Sequence, residues 1–251
     1  MPDWKLNIVM PMAGLGSRFR QAGFEVPKPL IDVRGRPMYA WATDSLPLER
    51  STRLIFILLA SQPECSDLQR DIQQRYARHQ PVILTVPELT AGQAITVLRA
   101  REFINSEEPL LIHNADTAFD TDPLWVEQAW RENLDGALLV FPSAEKRWSF
   151  SRENAQGLVE SVREKEVISP WATTGTYWFR RGNDFVRTAE ARFHSGKREA
   201  SEFYVGPLYN ELIAEGARVK NFAIQKLYCF GTPEDLEATL RDLQSKRPCS
   251  I

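Results

Sequence analysis

The chain has 251 residues, 43% of them hydrophobic and 25% charged, enough for the sizeable core of an ordinary globular protein. A formal net charge of −2 excludes the global basic field that draws in nucleic acid or an anionic membrane, so anionic ligands must meet local positive groups. Three widely spaced cysteines (Cys65, Cys229, Cys249), an N-terminus without a signal-peptide pattern and the absence of a long apolar run point to a soluble, cytoplasmic protein without disulfides.

In chain order, short apolar runs at Leu6–Met12, Leu54–Leu59, Val82–Val86, Leu110–Ile112 and Ala137–Phe141 read as strands. Their continuous apolarity suits strands covered on both faces, as in a parallel sheet. Helical patterns lie between them at Pro37–Leu46, Asp67–Tyr76 and Gln93–Phe103, with Leu68, Ile72 and Tyr76 on one face of the second. Beyond about residue 140, Leu158–Val162 and Gly175–Phe179 read as more amphipathic strands. Helices are expected at Asn183–Phe193 and Pro207–Glu215, then a strand at Val219–Leu227 and a closing helix at Pro233–Leu243 behind Thr232 as N-cap. The expected fold class is α/β: a doubly wound, mostly parallel, Rossmann-like sheet with a smaller antiparallel, substrate-facing layer. No linker interrupts it, so residues 1–251 are expected to form one domain, with a first part to about residue 140 and a second part after it.

The segment Met12-Ala13-Gly14-Leu15-Gly16-Ser17-Arg18-Phe19 follows the first strand, where open α/β sheets place their ligands. Glycines there allow successive N–H groups to face phosphate oxygens. A dinucleotide-binding fingerprint needs a small residue where Phe19 stands, and a P-loop needs a GK[ST] ending that is absent. Arg18 adds a cation, and Pro27-Lys28-Pro29 follows with a lysine stiffened by flanking prolines. Such a lysine suits electrostatic stabilisation of phosphoryl transfer.

With these motifs in order, the chain resembles the sugar-phosphate nucleotidyltransferases, which activate sugar 1-phosphates and related phosphorylated alcohols. The resemblance implies that Ala13, Gly14, Gly16, Ser17 and Arg18 hold the phosphates of an NTP. It also implies that Lys28 stabilises charge at the reacting α-phosphate. In Thr90-Ala91-Gly92-Gln93, Gly92 and Gln93 would lie against base and ribose; a ligand-free helix start is the alternative. In His113-Asn114-Ala115-Asp116, Asp116 matches the family's metal-binding aspartate, with Mg²⁺ the expected ion and a turn or cap residue the alternative. Asn114 would face the acceptor, whereas His113 reads as a structural residue.

Val162-Arg163-Glu164-Lys165 resembles an element in which the glutamate contacts the acceptor and the lysine its phosphate. Solvated strand charges are the alternative. Gly175 and Tyr177 fall in a glycine-led strand beside the acceptor, and Trp171, Tyr177 and Trp178 belong either to a pocket wall or to the core. In Tyr228-Cys229-Phe230-Gly231-Thr232-Pro233, Cys229 occupies the place where the family commonly carries a second metal-binding aspartate. A thiol is a poor Mg²⁺ ligand, leaving Asp116 to act alone or with Glu164 or Asp235.

The resemblance implies transfer of NMP from an NTP, CTP or UTP favoured, to a sugar 1-phosphate or another small phosphorylated acceptor. Catalytic charge would rest on Arg18, Lys28 and Lys165. A cytidylyltransferase for phosphorylated amino alcohols or amides serving surface polysaccharide, such as capsule, is one alternative. A non-catalytic nucleotide-sugar-binding protein is another. A glycosyltransferase is disfavoured because Asp116 and Asp120 are spaced too widely for a DxD motif. A homo-oligomer is compatible with the sequence.

Overall fold

The computed structural model describes residues 4–196, 198 and 202–245. Cys65 and Cys229 are free thiols, and Cys249 lies outside the described residues. The chain begins with β1 (Leu6–Met12), α1 (Ser17–Gln21), α2 (Met38–Asp44), β2 (Ser51–Leu59), α3 (Cys65–Arg75) and β3 (Val82–Val86). Next come α4 (Gln93–Val97), α5 (Arg101–Ile104), β4 (Leu110–His113), β5 (Thr117–Asp120), α6 (Trp125–Arg131) and β6 (Gly136–Pro142). The remainder is β7 (Ser149–Glu153), β8 (Val159–Glu164), β9 (Trp171–Phe179), α7 (Gly182–Ser195), α8 (Tyr209–Ala214), β10 (Val219–Ala223), β11 (Lys226–Cys229) and α9 (Pro233–Ser245).

The main sheet runs β10-β6-β9-β4-β1-β2-β3. β3, β2, β1 and β4 are mutually parallel, and β10 is parallel to β6. The apolar runs make this arrangement because both faces are covered. Leu6, Ile8 and Met10 of β1 pack with Leu54 and Phe56 of β2 under α2, α3 and α6. Val9, Ile55 and Ile57 point the other way, toward Ala94, Ile104, Phe185 and Tyr209 of α4, α5, α7 and α8. The anticipated face of α3 is the buried one, through Leu68 and Ile72, with Tyr76 just beyond it.

Three expectations need correction. The strand expected from Gly175 begins at Trp171, and it is not amphipathic. β9 is inserted antiparallel between β4 and β6, with Trp178 and Phe179 buried on opposite faces, so no solvent-facing side remains. The single strand expected over Val219–Leu227 is two strands in different sheets. Ile224 N–H still bonds Val140 of β6 (2.9 Å), whereas Gln225 N–H bonds Asp120 of β5 (2.8 Å), and the chain changes sheet between them. The helix expected over Gln93–Phe103 tightens to a 3₁₀ turn at Leu98–Ala100, separating α4 from α5. β5, β7, α1 and α6 are further elements that the apolar runs and helical periodicities above do not indicate.

The smaller antiparallel layer is the β7–β8 hairpin, joined to β9 through Phe150 opposite Ala172, with a separate two-stranded β5–β11 sheet beside it. Phe19, Ile31, Val33 and Met38 pack against Tyr228, Phe230 and Leu236, fastening the segment after β1 to β11 and α9. The expected cap forms reciprocally: Asp235 N–H donates to Thr232 Oγ1 (3.2 Å) and Thr232 N–H to Asp235 Oδ2 (3.0 Å). Among the described residues no helix is long and apolar enough to cross a membrane.

Phe179 anchors β9 to the helices by stacking on Tyr209 (4.5 Å between centroids) and meeting Phe185 edge-on (5.4 Å). Phe179→Ala is therefore expected to destabilise the fold by about 3–5 kcal/mol, read as a lower denaturant midpoint.

Candidate active site

In the main sheet β1 has β2 on one side and β4 on the other, so the chain leaves β1 and β4 beside a topological switch point, where open sheets bind ligands. A cleft of about 930 Å³ opens there. It is lined by Ala13, Gly14, Gly16, Ser17, Arg18, Lys28, Gly92, Gln93, Asn114, Asp116, Glu164, Lys165, Gly175 and Tyr177, whereas Asp235, the other carboxylate considered for the metal, is not among its lining residues.

At the floor, Lys28 Nζ donates to Asp116 Oδ2 (2.6 Å) and to the Gly231 carbonyl (3.0 Å), and lies 5.2 Å from the centre of the Phe19 ring. Burial opposes charge on Asp116, but Lys28 beside it holds the carboxyl below its usual range. Gly16 makes this approach possible. Its φ is +62°, and a Cβ there would sit 2.9 Å from the Lys28 Cβ. Gln62, which no sequence motif marks, is buried and donates to the Gly14 carbonyl (2.9 Å), fixing the loop.

Around the middle of the cleft, the Gln93 amide donates to Asn114 Oδ1, so one donor expected to face a base is already engaged. A Cβ on Gly175 would fall 2.0 Å from Asn114 Nδ2, so the space its missing side chain leaves holds Asn114. Gly92 likewise packs on backbone, between the hydrogen bonds Phe203 N–H to Ala91 (3.0 Å) and Ala94 N–H to Phe203 (2.9 Å). His113 lies below, fully buried, its ring bonded to Thr176 Oγ1 (2.8 Å) and the Thr117 carbonyl (2.7 Å), as a structural residue.

The far end is built by the β7–β8 hairpin. Ser149, opposite Glu164 in the ladder, donates to its carboxylate, and Lys165 donates to the Tyr204 hydroxyl (2.8 Å). That bond raises the Lys165 ammonium above its usual value. Burial, reinforced by Glu164, pushes the Tyr177 hydroxyl up to about 12, so it stays protonated. Trp178 is core, and Trp171 packs against the core instead of lining the cleft. Arg147, Ser149, Glu202 and Tyr204 also line the cleft. The charged run Glu145-Lys146-Arg147 beside Trp148 is a local signal for Arg147, and Glu202 and Tyr204 have none of that kind.

Cys229 stands opposite Thr117 in the β5–β11 ladder, close to Asp116. Burial pushes its thiol up to about 12, with the Asp235 and Asp116 charges adding to the effect, so it is neutral at ordinary pH. Among the described residues no three acidic, histidine or cysteine side chains converge as a ready cation site. Asp235 is held by Arg147 (2.6 Å), and Glu164 by Ser149. Asp116 is thus the carboxylate nearest Lys28, and its Oδ1 is approached by the Thr117 hydroxyl at 3.4 Å.

No family model matches the chain, and a search of curated proteins finds no match. Solved structures do match. A nucleoside-diphosphate-sugar pyrophosphorylase from Vibrio cholerae RC9 is 29% identical with a TM-score of 0.81, over 93% of this chain and 99% of that one. An inositol-1-phosphate CTP transferase from T. maritima is 15% identical with a TM-score of 0.76, over 98% of this chain and 97% of that one. A UDP-glucose pyrophosphorylase solved with UDP-glucose is 14% identical with a TM-score of 0.77, over 97% of this chain and all of that one, and, like the T. maritima protein, shares the fold.

The His113 ring makes stability depend on pH. Burial lowers its pKa to about 4, below the ordinary value of 6.5, so between these values the unfolded chain binds the extra proton. Its contribution is fully present above pH 6.5 and falls as pH drops toward 4, by about 3 kcal/mol in total. Urea unfolding at pH 7 and pH 4.5 should show the loss, and His113→Gln should flatten that part of the profile.

Proposed function

We propose, from the premise that this chain belongs to the sugar-phosphate nucleotidyltransferase family, that it transfers NMP from an NTP to a small phosphorylated acceptor and releases pyrophosphate. The observation that carries this reading is the Lys28–Asp116 pair on the floor of one cleft, with the glycine loop on one side and Glu164-Lys165 on the other. That order matches the reaction. The loop and Arg18 would hold the β- and γ-phosphates, Lys28 would face the α-phosphate, and Lys165 would face the acceptor's phosphate.

An acceptor phosphate oxygen attacks the α-phosphorus in line, and the bond to the bridging oxygen of the β-phosphate breaks. The electron pair leaves on pyrophosphate. The nucleophile is already anionic, so no general base is required. The protein's work is to hold two polyanions together and offset the charge that builds between them. Asp116 fits Mg²⁺, an ion that takes one or two protein carboxylates and completes its shell with phosphate oxygens and water. When bound, the ion would neutralise phosphate charge and orient those oxygens. Cys229, neutral and soft, does not belong in its shell.

A sugar 1-phosphate is the first acceptor to try, then phosphorylated amino alcohols and amides, with CTP or UTP as donors. Activated products of this class would serve polysaccharide assembly. Purified protein incubated with Mg²⁺, each of the four NTPs and an acceptor panel should release pyrophosphate for one pairing. No release with any pairing rejects the transferase reading, and tight nucleotide binding without turnover favours a binding protein instead. Lys28→Ala should lower kcat by on the order of 10²–10³ while far-UV circular dichroism stays unchanged. A rate near wild type removes Lys28 from the chemistry.

A further inference from the structure

We infer that Arg147 is a catalytic residue that contacts the phosphates at the junction between acceptor and NTP. The inference rests on the transferase reading above. Arg147 lies outside the glycine loop, the Pro-Lys-Pro segment and the Glu164-Lys165 element, yet its side chain lines the same cleft.

Its position follows from contacts on two sides. On the hairpin side, Arg147 precedes Trp148, whose carbonyl accepts the Lys165 N–H (3.0 Å), so the two cations leave adjacent backbone. On the other side, its Nη1 donates to Asp235 Oδ2 at 2.6 Å. A Cβ on Gly231 would lie 3.3 Å from that same Oδ2, and the Gly231 carbonyl accepts from Lys28 (3.0 Å). Lys28, the Gly231-Thr232 backbone, Asp235, Arg147, Trp148 and Lys165 are therefore linked in series, with Thr232 N–H donating to Asp235 Oδ2 (3.0 Å). Lys28 faces the α-phosphate end of this series and Lys165 the acceptor end. Arg147 stands between, where the new diphosphate linkage forms.

The guanidinium is also held as such a role requires. It lies 4.6 Å from the centre of the Trp148 ring, its Nε donates to Glu145 (2.8 Å), and Asp235 is only 14% exposed. Hydrogen bonding to Asp235 raises its pKa, so it keeps its charge. Its Nη2 makes no hydrogen bond among the described residues, and the side chain is 39% exposed and lines the cleft. Planar N–H donors of this kind match phosphate oxygens. Asp235 and Glu145 fix the guanidinium through Nη1 and Nε and leave the Nη2 edge to meet an anion. As the acceptor oxygen bonds to the α-phosphorus and the electron pair leaves on pyrophosphate, Arg147 would offset charge on the oxygens shared by the two phosphates.

Inorganic pyrophosphate carries the same diphosphate group as the linkage formed and would also meet the glycine loop and Arg18, so the difference between wild type and Arg147 variants reads this position independently of turnover. Wild type, Arg147→Lys and Arg147→Ala would be compared, with and without Mg²⁺, by calorimetric titration with pyrophosphate. Their unliganded melting temperatures serve as the check on folding. The wild type should bind; Arg147→Ala should bind at least about 10-fold more weakly, with Arg147→Lys between. In the transfer assay, Arg147→Ala should lose about 100-fold in kcat, and Arg147→Lys should recover part of it. No binding by the wild type, or binding by Arg147→Ala within about twofold of wild type, overturns the inference. So does loss of activity with unchanged binding, which would make the role purely structural. If the wild type never releases pyrophosphate while pyrophosphate binding still depends on Arg147, the transferase reading fails and the anion site stands. Turnover by wild type and Arg147→Ala alike does the reverse.

Discussion

A lysine and an aspartate 88 residues apart meet at 2.6 Å on the floor of the cleft, and most of the local architecture serves that meeting. Lys28 comes from a proline-flanked 3₁₀ turn, Asp116 from the turn after β4, and the Gly231 carbonyl from the segment leading into α9. A side chain on Gly16 would push Lys28 aside, and Phe19 packs beneath its ammonium. The apolar cluster of Phe19, Val33, Met38, Ala118, Phe230 and Leu236 then fixes the three segments relative to one another. Removing a charge from such a pair leaves its partner facing a partly desolvated site, so the pair constrains what can stand at either position.

Around this pair, polar side chains are positioned by other polar side chains more than by the main chain alone. Gln62 holds the loop carbonyl, Gln93 holds Asn114, Ser149 holds Glu164, Tyr204 holds Lys165 and Asp235 holds Arg147. Each of these five groups therefore has a second residue that sets its direction. Preorganisation of this kind matters where binding partners are polyanions, because reorienting charged groups during transfer would add to the barrier.

Much of this was legible in the sequence because it is written locally. The apolar runs report β1 to β4 and β6, and the glycine loop, Pro27-Lys28-Pro29, Asp116 and Glu164-Lys165 are contiguous motifs whose meeting in one cleft follows from an open α/β sheet. The rest depends on pairing between distant segments. Gln62 is a glutamine in a turn after β2, and nothing near it in sequence indicates that its target is the Gly14 carbonyl. Arg147 acquires its meaning from Asp235, 88 residues away. The alternation at Val219–Leu227 fits one strand as well as two, and only the positions of β6 and β5 divide it. Likewise, Gly175–Phe179 carries one threonine and three aromatics that suit a half-exposed strand, yet neighbours on both edges and packing on both faces make it core.

The central place of β9 also bears on how the molecule is assembled in time. During synthesis β1, β2, β3 and β4 can pair as soon as they emerge, but β4 then presents a bare edge of N–H and C=O groups until residues 171–179 have been made. β6 emerges in that interval and is joined to β4 only through β9. A nascent chain stalled or truncated in this window would carry two hydrophobic strands with open edges, the kind of surface on which chains associate. The strand that completes the sheet is thus also the one that ends the period of greatest exposure to misassembly.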